Sequence, residues 1–101
     1  MSRTPIHPGE ILADELEALE MTATELARAI RVPPNRITSI LAGRRSVTAD
    51  TALRLGRYFA TSAELWMNLQ KAYDLKIARA GMADTLESIP ERPNPGVAPV
   101  Y

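Results

Sequence analysis

The consecutive prolines Pro33 and Pro34 constrain this chain more than any other feature, because they interrupt a stretch that otherwise reads as helix. A proline lacks the amide donor of a helix interior and drives the residue before it out of the α conformation. A helix reaching Ile30 must therefore stop at Arg31-Val32. Pro34 suits the first turn of a new helix, where the missing donor has no partner to lose. Upstream, Thr22-Ala23-Thr24-Glu25 has the pattern of a capping box, in which the hydroxyl and the carboxylate satisfy amides at a helix start. Downstream, Gly43 is placed to end a helix in the left-handed conformation. The sequence thus predicts two short helices, over residues 23–30 and 34–42, joined by a tight turn.

The remaining punctuation makes the chain all-α. Pro8 suits the start of a helix running to about Leu19, with Ile11, Leu12, Leu16 and Leu19 at helical spacing and Asp14 and Glu17 outward. Thr48 is placed to cap a fourth helix reaching about Ala60 and burying Ala52, Leu53, Leu55 or Gly56, and Phe59. Ser62 is placed to cap a fifth, with an apolar stripe of Leu65, Trp66, Leu69, Ala72, Tyr73, Ile77 and Ala80. Composition agrees, since 15 Ala and 11 Leu against 4 Val favour residues that lose little side-chain freedom in a helix. The 101 residues have room for one domain. Residues 1–82 are read as that domain and residues 83–101 as a flexible tail, because Pro90, Pro93, Pro95 and Pro99 crowd its end.

Several function classes are disfavoured. The absence of cysteine excludes disulfides, thiolate metal sites and a cysteine nucleophile. No apolar run approaches membrane-spanning length and residues 1–9 lack the apolar core of a signal peptide, so a soluble, cytoplasmic protein with no membrane role is expected. There is no Gly-rich phosphate loop and no nucleophile with base partners. Glu10, Asp14 and Glu17 share a helix face, but unclustered carboxylates are ordinarily plain surface. The lone His7 has no second ligand nearby and lies where a helix cap is needed. No enzyme activity, metal or cofactor is expected.

The formal net charge of zero argues against a polyanionic partner until it is divided along the chain. Residues 10–25 hold six acids and no base; residues 28–57 hold seven arginines and one acid, Asp50, a net +6. The basic part coincides with the two short helices. Such a pair, the second opening with small or polar residues and closing at glycine, is the geometry that places a helix end in a major groove. Leu26 and Ala27 suit close packing under the second helix, Val32 plugs the turn, and Ile37 and Ile40 anchor the helix from below. Pro34, Asn35, Thr38 and Ser39 are left on its outer face.

At these residues the chain resembles the Cro/repressor-like (XRE) helix-turn-helix family, and more closely its HigA, or VapI-type, antitoxin branch. The resemblance runs from His7-Pro8-Gly9-Glu10-Ile11-Leu12 through Glu25-Leu26-Ala27, Val32-Pro33-Pro34-Asn35-Arg36-Ile37, Ile40-Leu41-Ala42-Gly43-Arg44-Arg45 and Thr51-Ala52-Leu53-Arg54-Leu55 to Leu65-Trp66-Met67-Asn68-Leu69-Gln70 and Tyr73-Asp74-Leu75. It implies a five-helix, lambda-repressor-like fold and a dimeric repressor of its own operon that also binds a small ribonuclease toxin. By that resemblance Pro34, Asn35, Thr38 and Ser39 match the groove-facing sites. Asn35 is able to pair bidentately with an adenine edge, or else merely favours the helix start. Pro33 stands where the wider family commonly has a capping Ser or Thr. Arg36, Arg44 and Arg45, with Thr24 and Arg28 on the preceding helix, match phosphate-contacting positions; the alternative for any one arginine is a solvated surface charge. Arg54 and Arg57 read as partners in local ion pairs, Arg54 with Asp50 four residues before it.

Two other surfaces complete the reading. Trp66, Leu69, Tyr73 and Ile77 are candidates for a homodimer contact through the fifth helix, with completion of the monomer core as the alternative for Trp66 and Tyr73. The acidic first helix, around Asp14 and Glu17, is the candidate surface for a small, basic RelE- or HigB-like toxin, or else a face that serves solubility alone. Two further readings stay open: a repressor without a toxin, and a protein-binding antitoxin that has lost its DNA role.

Overall fold

The computed structural model describes residues 5–93, and among these the chain forms five helices and no strand. They are α1 (Pro8–Ala18), α2 (Ala23–Ile30), α3 (Pro34–Leu41), α4 (Ala49–Phe59) and α5 (Ala63–Ser88). The starts are set by local hydrogen bonds. The Thr22 hydroxyl accepts from the Glu25 amide at 3.1 Å while the Glu25 carboxylate accepts from the Thr22 amide at 2.9 Å, closing the box read from the sequence. His7 does the same for α1: its Nδ1 accepts from the Gly9 amide at 2.9 Å and its own amide donates to Glu10 at 3.0 Å. Ser62 caps α5 through the Leu65 amide. Thr48 precedes α4 but makes no side-chain cap bond.

The ends of the first four helices follow one device. At the end of α3 the Arg44 amide donates to the Ser39 carbonyl and the Gly43 amide to Ile40, with Gly43 at φ +74°, the reciprocal pair of a left-handed helix stop. The ends of α1, α2 and α4 turn the same way at Glu20, Arg31 and Ala60, with φ 52°, 62° and 56°. These non-glycine residues occupy a region that disfavours side chains.

One core joins α1 through α4 to the first turn of α5: Leu12, Leu16, Leu26, Ala27, Ile30, Val32, Ile37, Ile40, Val47, Ala52, Leu55 and Trp66. Three expectations are corrected by this packing. Ile11 and Leu19 are exposed, because only Leu12 and Leu16 on α1 face the core. On α4 the inward positions are Thr51, Ala52, Leu55 and Gly56, which turns Leu53 outward to 64% exposure. On α5 the face holding Trp66 and Gln70 meets the body, so Leu65 and Ile77 are exposed. The fifth helix also runs past Gly81 to Ser88, so residues 83–88 are helix and not tail. Of the expected tail, residues 89–93 follow the helix and are exposed, and residues 94–101 lie outside the described residues.

Candidate nucleic-acid interface

The N-terminal face of α3 is the surface the packing leaves available. Ile37 and Ile40 are fully buried and seat the helix on α1 and α2, which leaves Pro34, Asn35 and Thr38 exposed and Ser39 half-buried. The Thr38 hydroxyl donates to the Asn35 carbonyl at 3.4 Å, and among the described residues no hydrogen bond is seen to the Asn35 side-chain amide. An exposed amide of this kind offers a donor and an acceptor together, as an adenine edge requires. Thr24 and Arg28 are exposed on α2, and Arg44 and Arg45 are exposed in the loop after α3.

That loop is held from an unexpected direction. The Val47 amide, buried between α3 and α4, donates to Gln70 Oε1 at 2.8 Å, and Gln70 Nε2 donates in turn to Asp74 at 2.9 Å. A buried amide without such a partner would be costly, so Gln70 on α5 fixes the segment that carries Arg44 and Arg45. A lone glutamine in an apolar stripe was the only signal of this in the sequence. Similarly, His7 is 7% exposed and its ring meets Tyr73 edge-on at 4.8 Å, tying the start of α1 to α5.

Arg36 is engaged within the chain. Its Nη1 donates to Asp50 Oδ2 at 2.6 Å, its side chain is 25% exposed, and its Nε is buried without a partner. Asp50 Oδ2 also accepts from Arg54 Nε at 2.9 Å, the i, i+4 pair read from the sequence. Arg54 Nη1 reaches on to the carbonyls of Ile30 and Arg31 at 2.8 and 3.3 Å, satisfying the end of α2. The Arg54 hydrogen bond, with Arg36 adding to it against some desolvation, holds the Asp50 carboxyl below its ordinary 3.8. For Arg57 no ion pair is seen among the described residues.

The other predicted surfaces divide. Asp14 and Glu17 are exposed on α1. Trp66, at 2% exposure, belongs to the core of the chain, and Leu69 is half-buried against that core. Tyr73 is half-buried against His7, and Ile77 is 48% exposed. Among the described residues no group of His, Asp and Glu could hold a metal ion, and no helix is long and apolar enough to cross a membrane.

Two short helices at a tight turn, seated on a common core with the second presenting polar residues, define a helix-turn-helix domain. Comparison agrees: a helix-turn-helix family profile matches residues 12–66, the span of the core from Leu12 to Trp66. The chain is 54% identical to virulence-associated protein I of Dichelobacter nodosus over 72% of its own length and 68% of that protein. Among solved structures it is similar to a HigA-family addiction-module antidote protein from Coxiella burnetii, at 48% identity and TM-score 0.83, covering 97% of this chain and 100% of that one. It is similar also to the Pseudomonas aeruginosa antitoxin HigA, solved with the higBA promoter, at 44% identity and TM-score 0.83, covering 93% and 100%. The chain belongs to the HigA, VapI-type branch of the XRE helix-turn-helix family. This is a family of DNA-binding antitoxins and regulators, not of enzymes.

Proposed function

We propose that this protein is a sequence-specific DNA-binding antitoxin that represses its own operon as a homodimer and neutralises a small, basic RelE-like RNase toxin. The observation that carries the reading is the α3 surface: Pro34, Asn35 and Thr38 stand exposed above buried Ile37 and Ile40, within a segment of net charge +6. Polar side chains there supply base contacts, while Arg28, Arg44 and Arg45 supply affinity through phosphates. The relative solved with the higBA promoter supports an operator as the DNA. Support for the toxin comes from the exposed carboxylates of α1, which repel DNA and attract a basic protein.

Mobility shifts on the DNA upstream of its own gene test the first part. Asn35→Ala is expected to cost about 1–3 kcal/mol on the best site and to relax sequence choice. Arg44→Ala is expected to weaken all sites alike and to lower the salt slope by about one. Tight binding indifferent to both changes would refute the assignment. Co-expression with the adjacent reading frame tests the second part: a small basic protein should co-purify, and Asp14→Lys with Glu17→Lys should release it. DNA binding without such a partner would leave a stand-alone repressor; a partner without DNA binding would leave an antitoxin alone.

A further inference from the structure

We propose that Asp50 is a positioning residue for DNA reading, setting the angle at which α3 is presented, and that Arg36 is the strut between them and not a phosphate contact. The inference rests on the DNA-binding reading above. Asp50 is the only acid between Arg28 and Arg57, and a carboxylate in the basic half of a DNA-binding protein repels the ligand. Its placement offsets that cost. One oxygen, Oδ2, receives Arg36 from α3 and Arg54 from α4, and Arg54 continues to the last carbonyls of α2. The carboxylate thereby joins α3 to the first turn of α4, and it holds the Arg54 side chain whose other end joins α4 to the end of α2.

The element most in need of such a tie is α3. It has eight residues and its N-cap, Pro33, makes no side-chain cap bond, whereas α1, α2 and α5 each begin on a side-chain cap. Its reading end is the uncapped end, and Arg36 lies in that first turn. With Nη1 on Asp50 and Nε buried, the Arg36 guanidinium faces α4. The pair is too exposed to contribute much to stability, so its effect falls on orientation and is read as specificity.

The test compares two duplexes of equal length, the DNA upstream of the gene and a random sequence, at two salt concentrations. Asp50→Asn is expected to bind random DNA at least as tightly as the wild type, having lost a repelling charge, while its preference for the upstream duplex falls on the order of tenfold, the value of one misplaced base contact. Arg36→Ala should lower the preference by the same factor without changing the salt slope on random DNA. The double variant should be no worse than either single one, because both break one connection. Equal losses on both duplexes for Arg36→Ala, with the salt slope reduced by about one, would make Arg36 a phosphate contact and overturn the proposal. So would an unchanged preference in Asp50→Asn, even with a lower melting temperature, since that is the signature of an acid serving only the first turn of α4. A wild type with no preference would overturn the DNA-binding reading. Amide exchange then decides the tie on its own: Asp50→Asn should speed exchange in residues 36–41 and spare α5, and unchanged rates in α3 would defeat it.

Discussion

At the scale of single residues, two positions show how closely the backbone is specified. A Cβ at Gly9 would press into the Ile40 carbonyl, so the first turn of α1 rests directly on the end of α3. Ala60 has the opposite difficulty, since it holds φ 56° where a Cβ is disfavoured. Gly9→Ala is therefore expected to destabilise by about 1–3 kcal/mol through overpacking, and Ala60→Gly to stabilise by about 1 kcal/mol by relieving the left-handed strain. Thermal melts should place the two variants on opposite sides of the wild type, separated by several degrees. A Gly9→Ala protein that melted with the wild type would mean that α1 can lift from α3 without cost, contrary to the packing described.

At the scale of helices, side-chain caps open α1, α2 and α5, and one of them carries a pH signature. The backbone hydrogen bond from Thr22, helped by its hydroxyl and by Arg28, holds the Glu25 carboxyl below its ordinary 4.5. A depressed folded-state value stabilises the protein in full above the unfolded value, and the contribution is lost as pH falls through the folded one. Glu25→Gln should therefore melt below the wild type near neutral pH, and the gap should close as pH drops below 4.5. A gap that persisted in acid would assign the loss to shape and not charge. Elements with such local signals were legible in the sequence: the Thr22 box, the Pro33-Pro34 break and the Gly43 stop all appear where the residues require them. The end of α5 was not, because the apolar stripe read from the sequence stops at Ala80 and a glycine, Gly81, follows it. A glycine costs a helix interior only about 0.5–1 kcal/mol, too little to end one of 26 residues. Pro90 ends it instead by forcing Ile89 into an extended conformation at ψ 115°. The α3 face could be read because the burial of Ile37 and Ile40 follows from periodicity. The Arg36–Asp50 tie joins residues 14 apart, and no local pattern encodes such a contact.

For the whole molecule the outstanding question is what the far half of α5 meets. Twenty-six residues span about 39 Å, yet of this helix only Ala63, Trp66, Leu69, Gln70 and Tyr73 are withdrawn from solvent within the protomer. Leu65, Ala72, Leu75, Met82, Leu86 and Ile89 recur at spacings of three, four and seven, and are all exposed, forming a second stripe beside the one that reaches Ile77. Such a stripe is costly to leave in water and suits a helix of the same kind. Under the homodimer reading a two-fold axis would pair these stripes, and every substitution would then act twice. The pairing would also give the protein two α3 faces, as two half-sites about 34 Å apart require. Leu75→Asp and Leu86→Asp lie clear of the core, so each should leave the melting of residues 8–73 intact while shifting sedimentation to monomer. Affinity for the upstream DNA should fall with it. Trp66→Phe alters only the protomer core and should lower the melting temperature without changing the oligomeric state. A wild type that sediments as monomer at every concentration would remove the dimer, and with it the need for a palindromic operator.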